Sequence, residues 1–305
     1  MTQQEVLRSP ASLAARSPLI LLALCGLVFA TRIMISKAAL NAGMQPFQLA
    51  LVANVGAGAI LLPLLAASGQ GIPRERQHLV LYLVLGIISF TIPTVLGYYI
   101  VDRVGPAYTS TVYSLSPLLT MSFAAGLGIE RMYLRRFAGI LIGLAGMAAL
   151  VQQQLAEIDF SQTVWVLLGV TIPACAAAGN IIRSAYWPKG SSALAFSCGI
   201  LLSSSLLVAV VAPFFEAPSS WVFLDRDILF WIGCMVATSA ASYLLNFRLQ
   251  EIGGPVFFSQ LGYWGTGFGV VLAAILFNDV LTLLSVVGLV AIIAGGVLAN
   301  RRREL

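Results

Sequence analysis

Gly105 to Gly146 reads GPAYTSTVYSLSPLLTMSFAAGLGIERMYLRRFAGILIGLAG, and Gly254 to Gly295 reads GPVFFSQLGYWGTGFGVVLAAILFNDVLTLLSVVGLVAIIAG. The two stretches align without a gap. Gly105 meets Gly254, Pro106 meets Pro255, Ser110 meets Ser259 and Ala125 meets Ala274. Further on, Glu130 meets Asp279, Gly139 meets Gly288 and Gly146 meets Gly295. Each stretch is an apolar run, an acid in a tight turn, and a second apolar run rich in glycine. Self-similarity of this kind marks an internal structural repeat.

Outward from these stretches the whole chain is apolar. Charged residues make up 10% of it and mean hydropathy is +0.93, whereas soluble domains carry about 25% charge. Apolar segments recur at 18–40, 46–67, 79–101, 105–128, 134–151, 163–185, 191–214, 228–249, 254–277 and 280–300. A helix of about 20 residues crosses the roughly 30 Å hydrocarbon core. The expected fold is therefore all-α: a polytopic membrane protein of ten transmembrane helices. Residues 1–17 and 301–305 read as cytoplasmic segments, 18–151 as a first five-helix repeat and 163–300 as a second. An odd number of spans in each half requires the halves to be inverted relative to each other. The run from Pro18 to about Leu40 is too long for a signal-peptide core and reads as a retained first span.

Orientation follows from the basic residues. With the N-terminus inside, Arg8, Arg16, Arg74, Arg76, Arg131, Arg135, Arg136, Arg183, Lys189, Arg248, Arg301, Arg302 and Arg303 fall on the cytoplasmic side. Only Arg103 and Arg226 fall on the other, with Arg32 and Lys37 inside the first span. This bias of 13 to 2 puts both termini in the cytoplasm. The same scatter in short loops explains the net charge of +5 without a nucleic-acid partner.

Enzyme chemistry finds few candidates. His78 is the one histidine, so neither a zinc HExxH helix nor a Ser-His-Asp triad can be assembled. No phosphate-cradling loop is present, and no cofactor or metal is implied. Cys25, Cys175, Cys198 and Cys234 all fall inside spans with no CxxC pair and read as small packing residues. Every acid maps to a terminus, a loop or a span end. A proton-coupled carrier commonly places a carboxylate in mid-membrane, so the absence of one predicts uniport.

Arg32 lies roughly 21 Å into the first span, at 1.5 Å per residue. A cation at that depth usually faces a polar cavity, where it could meet a substrate carboxylate; the alternative is that it snorkels outward along its long stem or bonds to the carbonyls of a broken helix. Polar and aromatic residues recur at helical spacing elsewhere. Tyr82, Gly86, Ser89, Pro93 and Gly97 share a face of the third span. Ser239, Ser242, Tyr243 and Asn246 do so on the eighth, and Gln260, Tyr263, Trp264 and Gly267 on the ninth. Thr111 and Ser114, with Tyr113 adjacent, mark the fourth. With Asn54 and Tyr99 added, the candidate substrate residues are Arg32, Asn54, Tyr82, Ser89, Pro93, Tyr99, Tyr243, Asn246, Gln260, Tyr263 and Trp264. Pro93 and Pro117 are expected to kink their spans. Gly139 and Gly143 form a GxxxG that reads as packing inside a monomer.

A Gly-Pro-led span, an acidic turn and a glycine-rich span, repeated in ten spans, resemble the EamA-type drug/metabolite transporter superfamily. GIERMYLRRFAG is the most family-like piece. FATRIMISKAAL also resembles the family pattern, with Lys37 on its usual lysine. Within the superfamily the chain looks most like YddG-type aromatic amino-acid exporters. It departs from the pattern at Arg32, where a small polar residue or Asn is usual, and at Asn54, near the usual arginine of the second span. The resemblance implies an alternating-access carrier in a bacterial inner membrane, its site lined by spans three, four, eight and nine. The implied cargo is amino acids, aromatic ones first, with aromatic cations as a further class. The rivals are a carrier of nucleotide-sugars or cationic drugs, and a non-transporting membrane anchor or sensor subunit. Beyond a small solute and the lipid bilayer no partner is expected.

Overall fold

The computed structural model describes residues 18–129, 133–156, 160–223, 225–277 and 282–300. The terminal segments and the paired acids Glu130 and Asp279 lie outside them. All regular structure among the described residues is helical. It comprises α1 (Pro18–Asn41), α2 (Pro46–Ala67), α3 (Arg76–Arg103), α4 (Pro106–Val112), α5 (Ser116–Gly126), α6 (Leu134–Ala156), α7 (Phe160–Gly169), α8 (Thr171–Ala185), α9 (Ala193–Val211), α10 (Arg226–Ser259), α11 (Leu261–Phe277) and α12 (Leu283–Asn300).

Among the described residues six helical stretches are long and apolar enough to cross a membrane: Pro18–Asn41, Pro46–Ala67, Arg76–Arg103, Gln162–Ala185, Ala193–Phe214 and Arg226–Ser259. The chain is a multi-pass membrane protein. Its burial pattern fits an apolar solvent. Leu206, Ile275, Leu283 and Phe214 are exposed, whereas Gln48, Ser204, Gln250 and Thr266 are buried. Hydrocarbon holds no water to satisfy a polar group, so polar side chains turn inward and leucines outward.

The Gly-Pro pairs break the helices in corresponding ways. Gly105 (φ +119°) precedes α4, and Gly254 (φ +72°) kinks α10. Both conformations favour glycine because a Cβ would crowd the backbone. Each proline then sits where its missing N–H costs nothing, at the start of a new helical stretch. The expected boundary between 249 and 254 is thus a kink at Gly254, and a second break follows at Gln260 before α11. Pro93 acts on the turn before it. Residues Gly86–Thr91 form a π-helical turn inside α3, directly ahead of Pro93. Proline cannot donate to the preceding turn, and a wider turn absorbs the mismatch. Pro117 falls in the first turn of α5, after a 3-10 turn at Tyr113–Leu115, so it begins a helix instead of bending one.

The glycine-rich helices α6 and α12 pack closely against each other. A Cβ on Gly146 would come within 2.5 Å of the Gly288 carbonyl oxygen, and one on Gly288 within 2.7 Å of the Gly146 oxygen. Gly295 meets Gly139 and Gly143 in the same way. The order of these contacts makes the two helices antiparallel. The Gly139–Gly143 pair therefore serves contact within the chain, as expected.

Glu216 fastens one end of the bundle. The carboxylate is buried in the loop after α9 and accepts hydrogen bonds from the backbone N–H groups of Phe47 (2.9 Å) and Gln48 (3.2 Å) at the start of α2. It also accepts from the Tyr99 hydroxyl and the Trp221 indole, both at 3.2 Å. An anion at a helix N-terminus meets unpaired donors and a favourable dipole. Glu216→Ala leaves these donors buried and unpaired. We expect it to cost about 2–3 kcal/mol, read as a lower thermal unfolding midpoint in detergent. Glu216→Gln recovers part of the loss, because an amide oxygen still accepts.

Candidate functional site

A cavity of about 130 Å³ opens among α1, α3, α8, α10 and the α4–α5 and α10–α11 breaks. It has room for about four waters or a small solute. Arg32 reaches it from the middle of α1, Ser89, Phe90, Pro93 and Thr94 from α3, and Ser242, Tyr243, Asn246 and Phe247 from α10. Asn180 and Arg183 enter from the last turns of α8, and Phe258 and Ser259 from beyond the Gly254 kink. The π-turn matters here. It carries both Ser89 and Phe90 and leaves the Ser89 hydroxyl buried without a partner. A smaller space of about 30 Å³ continues past Phe29, Arg32, Pro93, Thr94 and Tyr113 towards Gly97 and Val101. The rings of Phe29 and Tyr113 stand edge to face at 4.7 Å between the two spaces.

The Arg32 guanidinium donates to the Tyr98 hydroxyl at 3.2 Å and lies 5.9 Å from the centre of its ring. Arg183 is buried in α8 and donates to the Asn180 side-chain oxygen at 2.8 Å. The faces of Phe247, Phe258 and Phe90 lie 4.8, 5.0 and 5.8 Å from its guanidinium carbon. Such ring faces attract a cation that has lost its water. No carboxylate lines the cavity among the described residues. The counting that puts Arg183 on the cytoplasmic side is corrected accordingly: this cation turns inward, which leaves 12 expected cytoplasmic cations of the original 13.

Phe90, Tyr243 and Phe247 form an aromatic wall, with Phe90 stacked on Tyr243 at 5.3 Å and on Phe247 at 6.0 Å. Behind it runs a polar chain. The Tyr243 hydroxyl donates to the Asn54 oxygen (3.2 Å), Asn54 donates to the Ser204 hydroxyl (3.1 Å), and Ser204 shares a hydrogen bond with Thr91 (3.1 Å). Asn54 is therefore one layer behind the cavity, holding the tyrosine that faces it.

Of the residues singled out from sequence, Arg32, Ser89, Pro93, Ser242, Tyr243 and Asn246 meet at this cavity. The others go elsewhere. Tyr82 packs on Phe196 and over Gly199. Tyr99 binds Glu216 and stacks on Trp165 at 5.6 Å. The α11 stripe is turned away from the cavity: Tyr263 fills the space over Gly143 and bonds the Ile140 carbonyl, Trp264 lies over Gly26 of α1, and Gln260 is buried. Thr111 and Ser114 bond carbonyls of their own helix, while the adjacent Tyr113 lines the cavity. Sequence reading missed Arg183, Asn180, Phe90, Phe247 and Phe258. One signal was available. Arg183 lies 151 residues after Arg32, two off the 149 that separate Gly254 from Gly105, so the two arginines hold similar places in the two halves.

This placement changes what Trp264 is expected to do. Trp264→Ala removes packing between α11 and α1, at a cost of about 3 kcal/mol. Transport rates for aromatic and aliphatic cargo should fall by the same factor at matched membrane abundance. A selective loss for aromatic cargo would return Trp264 to the site.

Residues 16–152 match the family model of the EamA-like transporter family. The match points to a membrane transporter. That family consists of transporters, not enzymes, in agreement with the enzyme signatures missing from the sequence. A solved structure described as "Crystal structure of protein" is similar over 92% of this chain and 95% of that one, with a TM-score of 0.74 at 17% identity. The fold is thus shared along nearly the whole chain. No curated protein sequence matches.

Proposed function

We propose that the chain is an alternating-access carrier that moves small carboxylate-bearing metabolites through the central cavity. In this reading residues 18–151 and 163–300 form two inverted five-helix halves, ten spans in all. Both termini are cytoplasmic, and the protein works as a monomer in a bacterial inner membrane. The pairing of Gly105 with Gly254 supports the repeat. It relates the contact of Gly139 with Gly295 to that of Gly288 with Gly146, as a two-fold axis would. It also pairs Tyr113 with Gly262, which touch each other. A cavity bounded by both halves is what alternating access needs.

The observation that carries the cargo is Arg32, a cation within a span whose hydrogen-bond partner is a neutral tyrosine. A carboxylate would satisfy it, and the wall of Phe90, Tyr243 and Phe247 suits a flat apolar body. The resemblance to YddG-type exporters adds amino acids, aromatic ones first, and outward movement. The cationic lining speaks against aromatic cations.

The test is flux of radiolabelled solutes into proteoliposomes holding the purified protein alone. We expect saturable uptake of an aromatic carboxylate with no imposed pH gradient. Uphill accumulation that needs such a gradient would sink uniport. Absence of any solute flux would favour a non-transporting subunit.

A further inference from the structure

We propose that Arg183 is a second anion-binding group in the cavity, so that the preferred cargo carries two acidic groups. This rests on the carrier reading but not on the amino-acid cargo. Arg32 and Arg183 line the same cavity from different halves of the chain. Neither meets a carboxylate among the described residues. Arg183 is 3% exposed and its one hydrogen bond goes to a neutral amide, leaving its Nε–H buried and unpartnered. Nε is the inner arm of the guanidinium fork, the geometry that grips a carboxylate through two parallel bonds.

The group is also held in place. Gln250 of α10 donates to the Asn180 carbonyl at 2.8 Å and to the Ser184 hydroxyl at 2.7 Å, tying down the last turn of α8. Three phenylalanine rings fix the guanidinium from the sides. A buried cation with a free donor and no counter-charge is costly unless something anionic arrives. Two such cations in one cavity favour a dianion. A zwitterion is served less well, because its ammonium finds only neutral oxygens and two like charges.

Three probes that share a benzene ring separate the possibilities: terephthalate, with two carboxylates, benzoate, with one, and phenylalanine, a zwitterion. Binding to the purified full-length protein in detergent is measured by calorimetry. Terephthalate should bind roughly tenfold tighter than benzoate or better, the worth of one added charge-assisted hydrogen-bonded group. Phenylalanine should bind more weakly than benzoate. In Arg183→Gln the preference of terephthalate over benzoate should fall to about one, because terephthalate loses far more affinity than benzoate does. Arg183→Lys keeps the charge and should retain a preference of a few-fold. If Arg183→Gln does not fold, the lysine variant and the ranking in the wild-type protein decide.

Equal binding of terephthalate and benzoate in the wild-type protein would overturn the proposal, as would a preference unchanged in Arg183→Gln. So would failure of terephthalate to bind. Saturable benzoate or phenylalanine flux in proteoliposomes would still uphold the carrier reading in each of those cases. Terephthalate binding with no flux of any probe would remove the carrier reading and leave the anion site.

Discussion

Arg32→Gln is expected to lower binding and uptake of benzoate by about 30-fold or more, the cost of removing one partner from a buried, hydrogen-bonded charge pair. Arg32 comes from the middle of α1 and borders both the larger and the smaller space. Tyr98 holds it by a hydrogen bond and by its ring face, so the charge is positioned before any solute arrives. Arg32→Lys should recover part of the affinity, because an ammonium keeps the charge but loses the fork. Binding isotherms at matched protein stability check both variants. Unchanged benzoate affinity in a folded Arg32→Gln protein would make Arg32 a structural cation satisfied by Tyr98.

The largest effect on folding is expected at Gly146. A methyl group there would come within 2.5 Å of the Gly288 carbonyl and 2.9 Å of the Ala291 Cβ and the Ile292 N. Two of these atoms belong to backbone, which cannot turn aside as a side chain can. Gly146→Ala should therefore cost about 3 kcal/mol, at the upper end of overpacking effects, and Gly146→Leu should yield no folded protein. Gly233, exposed in α10 with nothing within 4 Å of its added Cβ, is the control. Gly233→Ala should shift stability by no more than about 0.5 kcal/mol. Thermal unfolding of purified protein and its monodispersity in detergent measure the contrast. An intact Gly146→Leu protein would mean that α6 and α12 do not pack as described.

The sequence by itself determined that the chain is helical and passes a membrane several times. Both follow from composition and from the length of the apolar runs, properties that need no knowledge of neighbours. Gly105 and Gly254 were also legible, because each stands before a proline in matching stretches and glycine alone takes those backbone angles without strain. The internal use of the Gly139–Gly143 pair could be read too, since small residues at that spacing allow backbones to meet.

Tertiary structure alone decided which face of each helix meets the cavity. Helical spacing sorts residues into faces but does not say what each face touches. On α11 the polar and aromatic stripe looked like a lining, yet Gly143 leaves a pit that Tyr263 fills and Gly26 leaves one for Trp264. Those pits belong to α6 and α1, so α11 carries no trace of them. Arg183 escaped for a related reason. A cation in the last turn of a span can reach outward along its flexible stem or fold inward. What turned it inward were the rings of Phe90, Phe247 and Phe258, which come from α3 and from both sides of the Gly254 kink and meet only once the helices have packed.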